Sequence, residues 1–281
     1  MRYGDQRLNE LDALRRQTDP GFIIQNEVRL VSDRIVEDVR RQTIVYPARA
    51  GVLRAASLCS PANLTPIAGV LYVHWYEPEA LNSNRTQFHT EAETLARLGV
   101  TSLSVETMWS DREWFIKRTH ADDFQASLDQ IIELRTALGL LRLQAGSEAP
   151  LAFVGHDFGA MYGVVLGAIE GSFEHYILMA GTPHFADWYF YYPQIEEDDR
   201  KPYLERMAAM DPIAHVRRLS PASILFQFGI DDPHVPQAKA ETFFEAAQEP
   251  REIRWYEGGH ALDVRSASDR LEWLKSQFGL C

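Results

Sequence analysis

The string Gly155-His156-Asp157-Phe158-Gly159 follows the apolar run Leu151-Ala152-Phe153-Val154 and leads into Ala160, Met161, Tyr162 and Gly163. Glycines two residues before and two after a reactive side chain suit a very tight strand-to-helix turn, where side chains on either flank would clash. Such a turn is strained and lifts its middle residue, here Asp157, into a cleft above a helix N-terminus. Two further polar groups follow apolar runs. Asp231 and Asp232 come after Ile224–Phe228, and His260 comes after Glu252–Trp255, in the glycine-rich segment Tyr256-Glu257-Gly258-Gly259-His260. Asp232, with Asp231 as the substitute, and His260 make an acid–imidazole pair of the kind that deprotonates water.

Aspartate at the reactive position decides which bonds are worth attacking. A carboxylate that attacks a carbonyl ester forms an anhydride, a high-energy product. One that attacks a saturated carbon displaces a halide or opens an epoxide and leaves a stable ester. His260, oriented by Asp232, would then activate the water that hydrolyses that ester. Free aspartate titrates near pH ~3.9, so Asp157 is ready for this role at neutral pH.

The elements that must position these groups alternate along the chain. Opening strands are expected over roughly 40–47 and 51–58, then Gly69–His74, Thr101–Val105, Leu151–Val154, Tyr176–Met179, Ile224–Phe228 and Glu252–Trp255. Helices are expected over Thr86–Leu98, Asp122–Leu138 with Gly139 as its stop, from Phe158 on, Gln237–Ala247 and Ser266–Phe278. This alternation predicts an α/β protein built on a mostly parallel twisted sheet of about eight strands with helices on both faces. Ligands in such sheets sit beyond the carboxyl ends of the strands, where Asp157, Asp232 and His260 all fall. The reading divides the chain into an N-terminal helical arm over 1–36, with Leu8, Leu11 and Leu14 at helical spacing, and one domain over 37–281. A short aromatic and charged insertion over about 184–220 interrupts that domain's pattern.

Composition narrows the classes of function. Acidic residues outnumber basic ones, 40 to 28, and the formal charge of −12 disfavours nucleic acid and anionic membranes as partners. A small-molecule substrate is expected, with a homodimer as an option. No run is apolar enough to span a bilayer and Met1–Arg7 lacks a secretory pattern, so a cytoplasmic protein is expected. Two cysteines, Cys59 and Cys281, exclude a disulfide framework. The histidines have no metal-ligand spacing, so neither metal nor cofactor is expected.

Over roughly residues 40–278 the chain resembles the α/β-hydrolase superfamily, with Gly69–Pro78 and Phe228–His260 closest to its dienelactone-hydrolase-like branch. The Gly-His-Asp-x-Gly turn instead resembles the elbow of haloalkane dehalogenases, haloacid-type dehalogenases and epoxide hydrolases. The resemblance implies a triad of Asp157, Asp232 and His260, in the chain order of this fold. It also implies an oxyanion hole from the backbone N–H of Phe158 and that of Trp75 or Tyr76. Phe158 stands where dehalogenases often carry a tryptophan that holds the halide. Tyr189, Tyr191 and Tyr192 match the place of epoxide-hydrolase cap tyrosines as proton donors, and Trp188 that of a leaving-group contact. His74, Glu106, Trp109 and Arg112 lie just after strands and are further candidates for contact with substrate. Bracing, packing or solvated-loop roles are the alternatives for each.

The leading expectation is therefore a hydrolase that opens an epoxide or carbon–halogen bond through an alkyl ester on Asp157. The alternatives are a dienelactone-hydrolase-like ester or lactone hydrolase, or a lyase, with Asp157 as base, and a non-catalytic binding protein on the same scaffold.

Overall fold

A computed structural model describes residues 11–21, 27–80 and 84–280. Nine strands form one sheet: β1 (Arg29–Val36), β2 (Val39–Arg49), β3 (Val52–Pro61), β4 (Ala68–Val73), β5 (Val100–Val105), β6 (Leu151–His156), β7 (His175–Met179), β8 (Ser223–Gly229) and β9 (Arg251–Tyr256). Their order is β1-β2-β3-β5-β4-β6-β7-β8-β9. The first three strands and the β3–β5 contact are antiparallel, and every pairing from β5 through β4 to β9 is parallel.

The parallel strands are apolar because helices cover both of their faces. Their side chains alternate between two separate cores. Leu71, Val73, Leu151, Phe153, Leu178, Phe226 and Phe228 enter one, and Val70, Tyr72, Ala152, Val154, Ile177 and Leu225 the other. Six helices of nine residues or more occur among the described residues: α1 (His89–Arg97), α2 (Asp123–Ala145), α3 (Phe158–Glu170), α4 (Glu197–Met207), α5 (Gln237–Ala246) and α6 (Val264–Gln277). α2 and α3 cover the first core, α1 and α6 the second.

Two local expectations are corrected. Arg29–Val36, counted with the helical arm, is an edge strand, while residues 11–17 are helical. Leu11 and Leu14 are buried against the body, and Arg15 Nε donates to the Ile169 carbonyl at 2.9 Å; Leu8 lies outside the described residues. Nor does Gly139 stop α2, which runs on to Ala145 and ends at Gly146 with φ of 102°. Leu140, Leu141 and Ala145 are buried in that last stretch, and burying them outweighs the roughly 1 kcal/mol that an interior glycine costs a helix.

The insertion between β7 and β8 holds the short helix Ala186–Tyr189, α4, and the turn Pro212–His215. Arg118 fastens it. Its guanidinium pairs with Asp123 at 2.6 Å and donates to the carbonyls of Tyr189 and Tyr192. Lys239 of α5 pairs with Asp187 at 2.6 Å on the other flank. No helix among the described residues is long and apolar enough to cross a membrane.

Candidate active site

Asp157 follows β6 and caps α3 with φ 55° and ψ −120°, a conformation that costs a non-glycine residue about 1–3 kcal/mol. The surroundings hold it there. Its N–H donates to the Met179 carbonyl of β7 at 2.8 Å, and its carbonyl accepts from Met161 N at 3.1 Å. The flanking glycines are required by contact with backbone, which cannot move aside. A Cβ on Gly155 would lie 2.5 Å from the Gly159 carbonyl carbon, and one on Gly159 would lie 2.1 Å from the Val73 oxygen.

Three strand-end loops converge on the Asp157 carboxylate. From the loop after β9, His260 presents Nε2 at 3.9 Å from Oδ1. From the loop after β8, Asp232 Oδ2 accepts from His260 Nδ1 at 2.7 Å. Its other oxygen, Oδ1, accepts the backbone N–H of His234 at 2.8 Å and of Val235 at 3.2 Å, so the orienting carboxylate is itself fixed. Asp231 is exposed, and its N–H donates to the Gly258 carbonyl; Asp232 is the carboxylate that meets His260. From the loop after β4, Tyr76 N–H points at Asp157 Oδ2 across 3.4 Å. Trp75 N–H is already given to Gln87 Oε1 at 3.2 Å, which leaves Tyr76 as the donor facing the site. Phe158 is the first residue of α3, where a backbone N–H has no helical acceptor.

Burial and charge set the protonation of this cluster. Burial drives the Asp157 carboxyl above its ordinary range, against the pull of His260. Burial also works against a charged His260, but the negative charges of Asp157 and Asp232 and the hydrogen bond to Asp232 overcome it and raise the imidazole to about 9. Asp232 stays below its ordinary value: burial raises it, and the His260 contacts and two backbone donors more than offset that. The resting arrangement at neutral pH is an imidazolium between two carboxyl groups.

Above Asp157 lies a cavity of about 350 Å³ lined by Trp75, Tyr76, Phe115, Phe158, Trp188, Tyr191, His234 and His260. No lysine or arginine among the described residues lines it, and its walls are mainly aromatic. Trp188 packs edge-on to His260 at 5.2 Å between ring centres, and its Nε1 is buried with no hydrogen-bond partner among the described residues.

The other sequence-level candidates scatter. Tyr191 and Trp188 line the cavity, whereas Tyr189 is buried with its hydroxyl on that of Tyr162 at 2.9 Å, and Tyr192 is exposed. Trp109 is buried behind Phe158 and donates Nε1–H to the His74 carbonyl at 3.0 Å. Arg112 is exposed and contacts the Ala80 carbonyl, so it binds nothing in the cavity. Glu106 accepts Ala55 N–H at 2.8 Å and Arg85 at 3.2 Å, also outside the cavity. His74 braces its loop: Nδ1 donates to the Trp75 carbonyl at 2.7 Å and Nε2 meets Ser110 Oγ at 2.9 Å. Burial pushes its imidazole down to about 4, so it is neutral there.

Sequence reasoning missed four residues. Phe115 and His234 form cavity wall, and Gln87 and His156 tie the loops together. Gln87 Oε1 accepts from Trp75 N, Gln87 Nε2 donates to His156 Nδ1 at 2.6 Å, and His156 Nε2 donates to the His260 carbonyl at 2.9 Å. The Trp75 indole stacks on the His156 ring, 4.9 Å between centres and 2° from parallel. His156 stands inside the elbow and was visible there, but nothing in the sequence around Gln87 marks it as a partner.

Solved structures share this architecture. Acetyl xylan esterase 1 from Thermoanaerobacterium sp. superposes with a TM-score of 0.77 at 15% identity, over 100% of this chain and 98% of that one. The acetyl xylan esterase of Paenibacillus sp. R4 gives 0.74 at 12%, over 95% and 92%. A Klebsiella pneumoniae protein assigned as a dienelactone hydrolase gives 0.60 at 15%, over 91% and 100%. No family model matches the sequence, and no curated protein sequence does. The chain has the α/β-hydrolase fold.

Proposed function

We propose that this protein is a hydrolase of small, uncharged organic molecules whose final step is the cleavage of a carboxylic ester by water activated at His260. The observation that carries the proposal is where one backbone donor points. In an ester-cleaving site, backbone N–H groups are aimed at the carbonyl oxygen that becomes an oxyanion. Here Tyr76 N–H is aimed at Oδ2 of Asp157 itself. The ester best placed for hydrolysis is therefore one formed on the Asp157 carboxyl group.

In this reading Oδ1 attacks a saturated carbon of an epoxide or a carbon–halogen bond, a C–O bond forms, and the carbon–oxygen or carbon–halogen bond breaks with its electron pair. Alkylation removes the negative charge of Asp157. His260 then loses one of the two carboxylates that raise it to about 9, releases its proton to solvent in the open cavity and becomes the base for water. Water adds to the Asp157 carboxyl carbon, the oxyanion is held at Tyr76 N–H, and the product alcohol leaves with the oxygen that attacked.

A second reading is favoured by the solved structures of like fold, whose names are those of esterases and a dienelactone hydrolase. In it the ester or lactone is the substrate itself. Asp157, its basicity raised by burial, takes the proton of the attacking water, which adds to the substrate's carbonyl carbon as the carbon–oxygen bond of the ester or lactone breaks.

One experiment separates the two. A single turnover in ¹⁸O-water is followed by mass analysis of the peptide containing Asp157. Label in the Asp157 carboxylate supports the covalent route, and an adduct retained on Asp157 by His260→Gln identifies the substrate class. Label confined to the product acid supports the second reading. Tight binding without turnover of epoxides, alkyl halides, esters or lactones overturns both.

A further inference from the structure

We infer that His234 is a further catalytic residue of this site, the donor of the proton taken up by the oxygen that leaves when the substrate is opened. The inference rests on the hydrolytic reading above. An alkoxide is a poor leaving group, and breaking its bond to carbon needs a proton delivered as the bond breaks.

The cavity wall offers few groups able to supply it. The Tyr76 hydroxyl donates to the Arg112 carbonyl at 2.8 Å. The Trp188 indole N–H can hydrogen-bond but does not give up its proton in this pH range. His260 is committed, with Nδ1 on Asp232 at 2.7 Å and Nε2 facing Oδ1 of Asp157 at 3.9 Å, so its proton lies on the side of the attacking oxygen and not on that of the oxygen that leaves. Tyr191 and His234 remain.

His234 is the better placed and the better held. Its backbone N–H donates to Asp232 Oδ1, so the carboxylate that orients His260 also fixes the residue two positions along. Pro233 and Pro236 flank it and restrict the loop. Its ring stands 5.3 Å from that of His260, nearly perpendicular at 80°, and 5.0 Å from that of Trp188. It lines the cavity on one side and is exposed on the other, and its ring nitrogens make no hydrogen bond among the described residues. Histidine is the side chain suited to passing protons near neutral pH, and contact with solvent lets it reload. Tyr191 packs on Trp188 and His234, with ring centres 5.8 and 6.0 Å apart, and makes no ring contact with His260 among the described residues.

The step balances. Asp157 Oδ1 donates an electron pair to carbon, the carbon–oxygen bond breaks, and its electrons pass to the oxygen. That oxygen takes a proton from a ring nitrogen of His234, which regains one from water. When an acyl–oxygen bond is the one broken, the same transfer serves the departing alcohol.

The test separates leaving groups. In a His260→Gln background, which isolates the first half-reaction, adduct formation on Asp157 is timed with styrene oxide and with 1-bromobutane. Styrene oxide opens to an alkoxide that needs a proton; bromide needs none. His234→Gln should slow labelling by styrene oxide about 100-fold and leave labelling by 1-bromobutane little changed. Equal losses with both probes, or none with either, overturn the assignment. Tyr191→Phe, run in parallel, should affect both probes alike, and a loss confined to styrene oxide there would assign the proton to Tyr191 instead.

If neither probe labels Asp157, the covalent route fails while the His234 assignment is still read. Ethyl acetate and 4-nitrophenyl acetate are then compared with His260 in place. A His234→Gln loss confined to ethyl acetate supports the assignment, and an equal loss on both overturns it. A protein that takes no label and cleaves neither acetate overturns the proposed function and this inference together.

Discussion

Asp157 Oδ1 and His260 Nε2 face each other across 3.9 Å of protein interior, and neither atom has a hydrogen-bond partner among the described residues. The separation leaves both atoms aimed at whatever enters the cavity. Their charges are still coupled, because burial leaves little solvent between them to screen the pair.

That coupling predicts the effect of neutralising one side. Asp157→Asn should bring the His260 imidazole down from about 9, since one of the two carboxylates that raise it is gone. An NMR titration of the His260 ring in wild type and variant reads this directly. Turnover should fall by at least about a thousandfold in the same variant if Asp157 carries the reaction. An unshifted titration would mean that Asp232 alone holds the proton on His260.

Folding stability should respond to pH through the same group. The folded His260 binds its proton up to about pH 9, while the unfolded histidine releases it near 6.5. The stabilisation is fully present below about 6.5 and is lost as pH rises through the folded value, because the folded state binds more protons across that window. Urea midpoints measured from pH 6 to pH 10 should fall in wild type, and the decline should be shallower in His260→Gln.

Gln87 carries no chemistry in this account but joins two loops. Gln87→Leu leaves Trp75 N–H and His156 Nδ1 without the partners they have at 3.2 and 2.6 Å. Each buried group left unsatisfied costs about 1–3 kcal/mol. The variant should melt several degrees lower and lose about tenfold in kcat, more than in KM, because the displaced loops carry Tyr76 and His260. A lower melting temperature with kcat unchanged would make Gln87 structural only.

Arg118 and Asp123 are both nearly fully buried, and Arg118 also holds the Tyr189 and Tyr192 carbonyls of the insertion. Arg118→Met strands the Asp123 carboxylate, although Tyr203 still donates to it at 2.9 Å. The expected cost is about 3–5 kcal/mol by chemical denaturation. Adding Asp123→Asn should recover part of it, and failure to recover would place the cost in the lost carbonyl contacts instead.

What could be read from the sequence follows physical logic. β4, β5 and β6 are buried along their whole length, so their apolar runs stand out, and Asp157, Asp232 and His260 fall where those runs and their parallel neighbours end. β1 is exposed at nearly every position and has no such signature, which is why Arg29–Val36 read as part of an arm. Arg112 and Glu106 were rightly placed after β5, but sequence position does not say which way a loop side chain turns. Arg112 turns to solvent and Glu106 to the Ala55 amide. Gln87 acts through partners far away in the chain, and one sequence carries no trace of it; His234 stands in the loop of Asp232, but only the folded structure shows that its ring faces the cavity.

The link from Trp75 through Gln87 and His156 to the His260 carbonyl joins the loops after β4 and β9 through the last residue of β6. Those segments are therefore braced against one another. The floor of the cavity has a fixed shape, and a ligand of a different size must be accommodated by the opposite wall, where Phe115, Trp188 and Tyr191 hang from short segments between the main elements. An engineer seeking new substrates should randomise that wall and leave the floor intact. Hydrogen exchange in the joined segments should then slow or quicken together in every variant obtained.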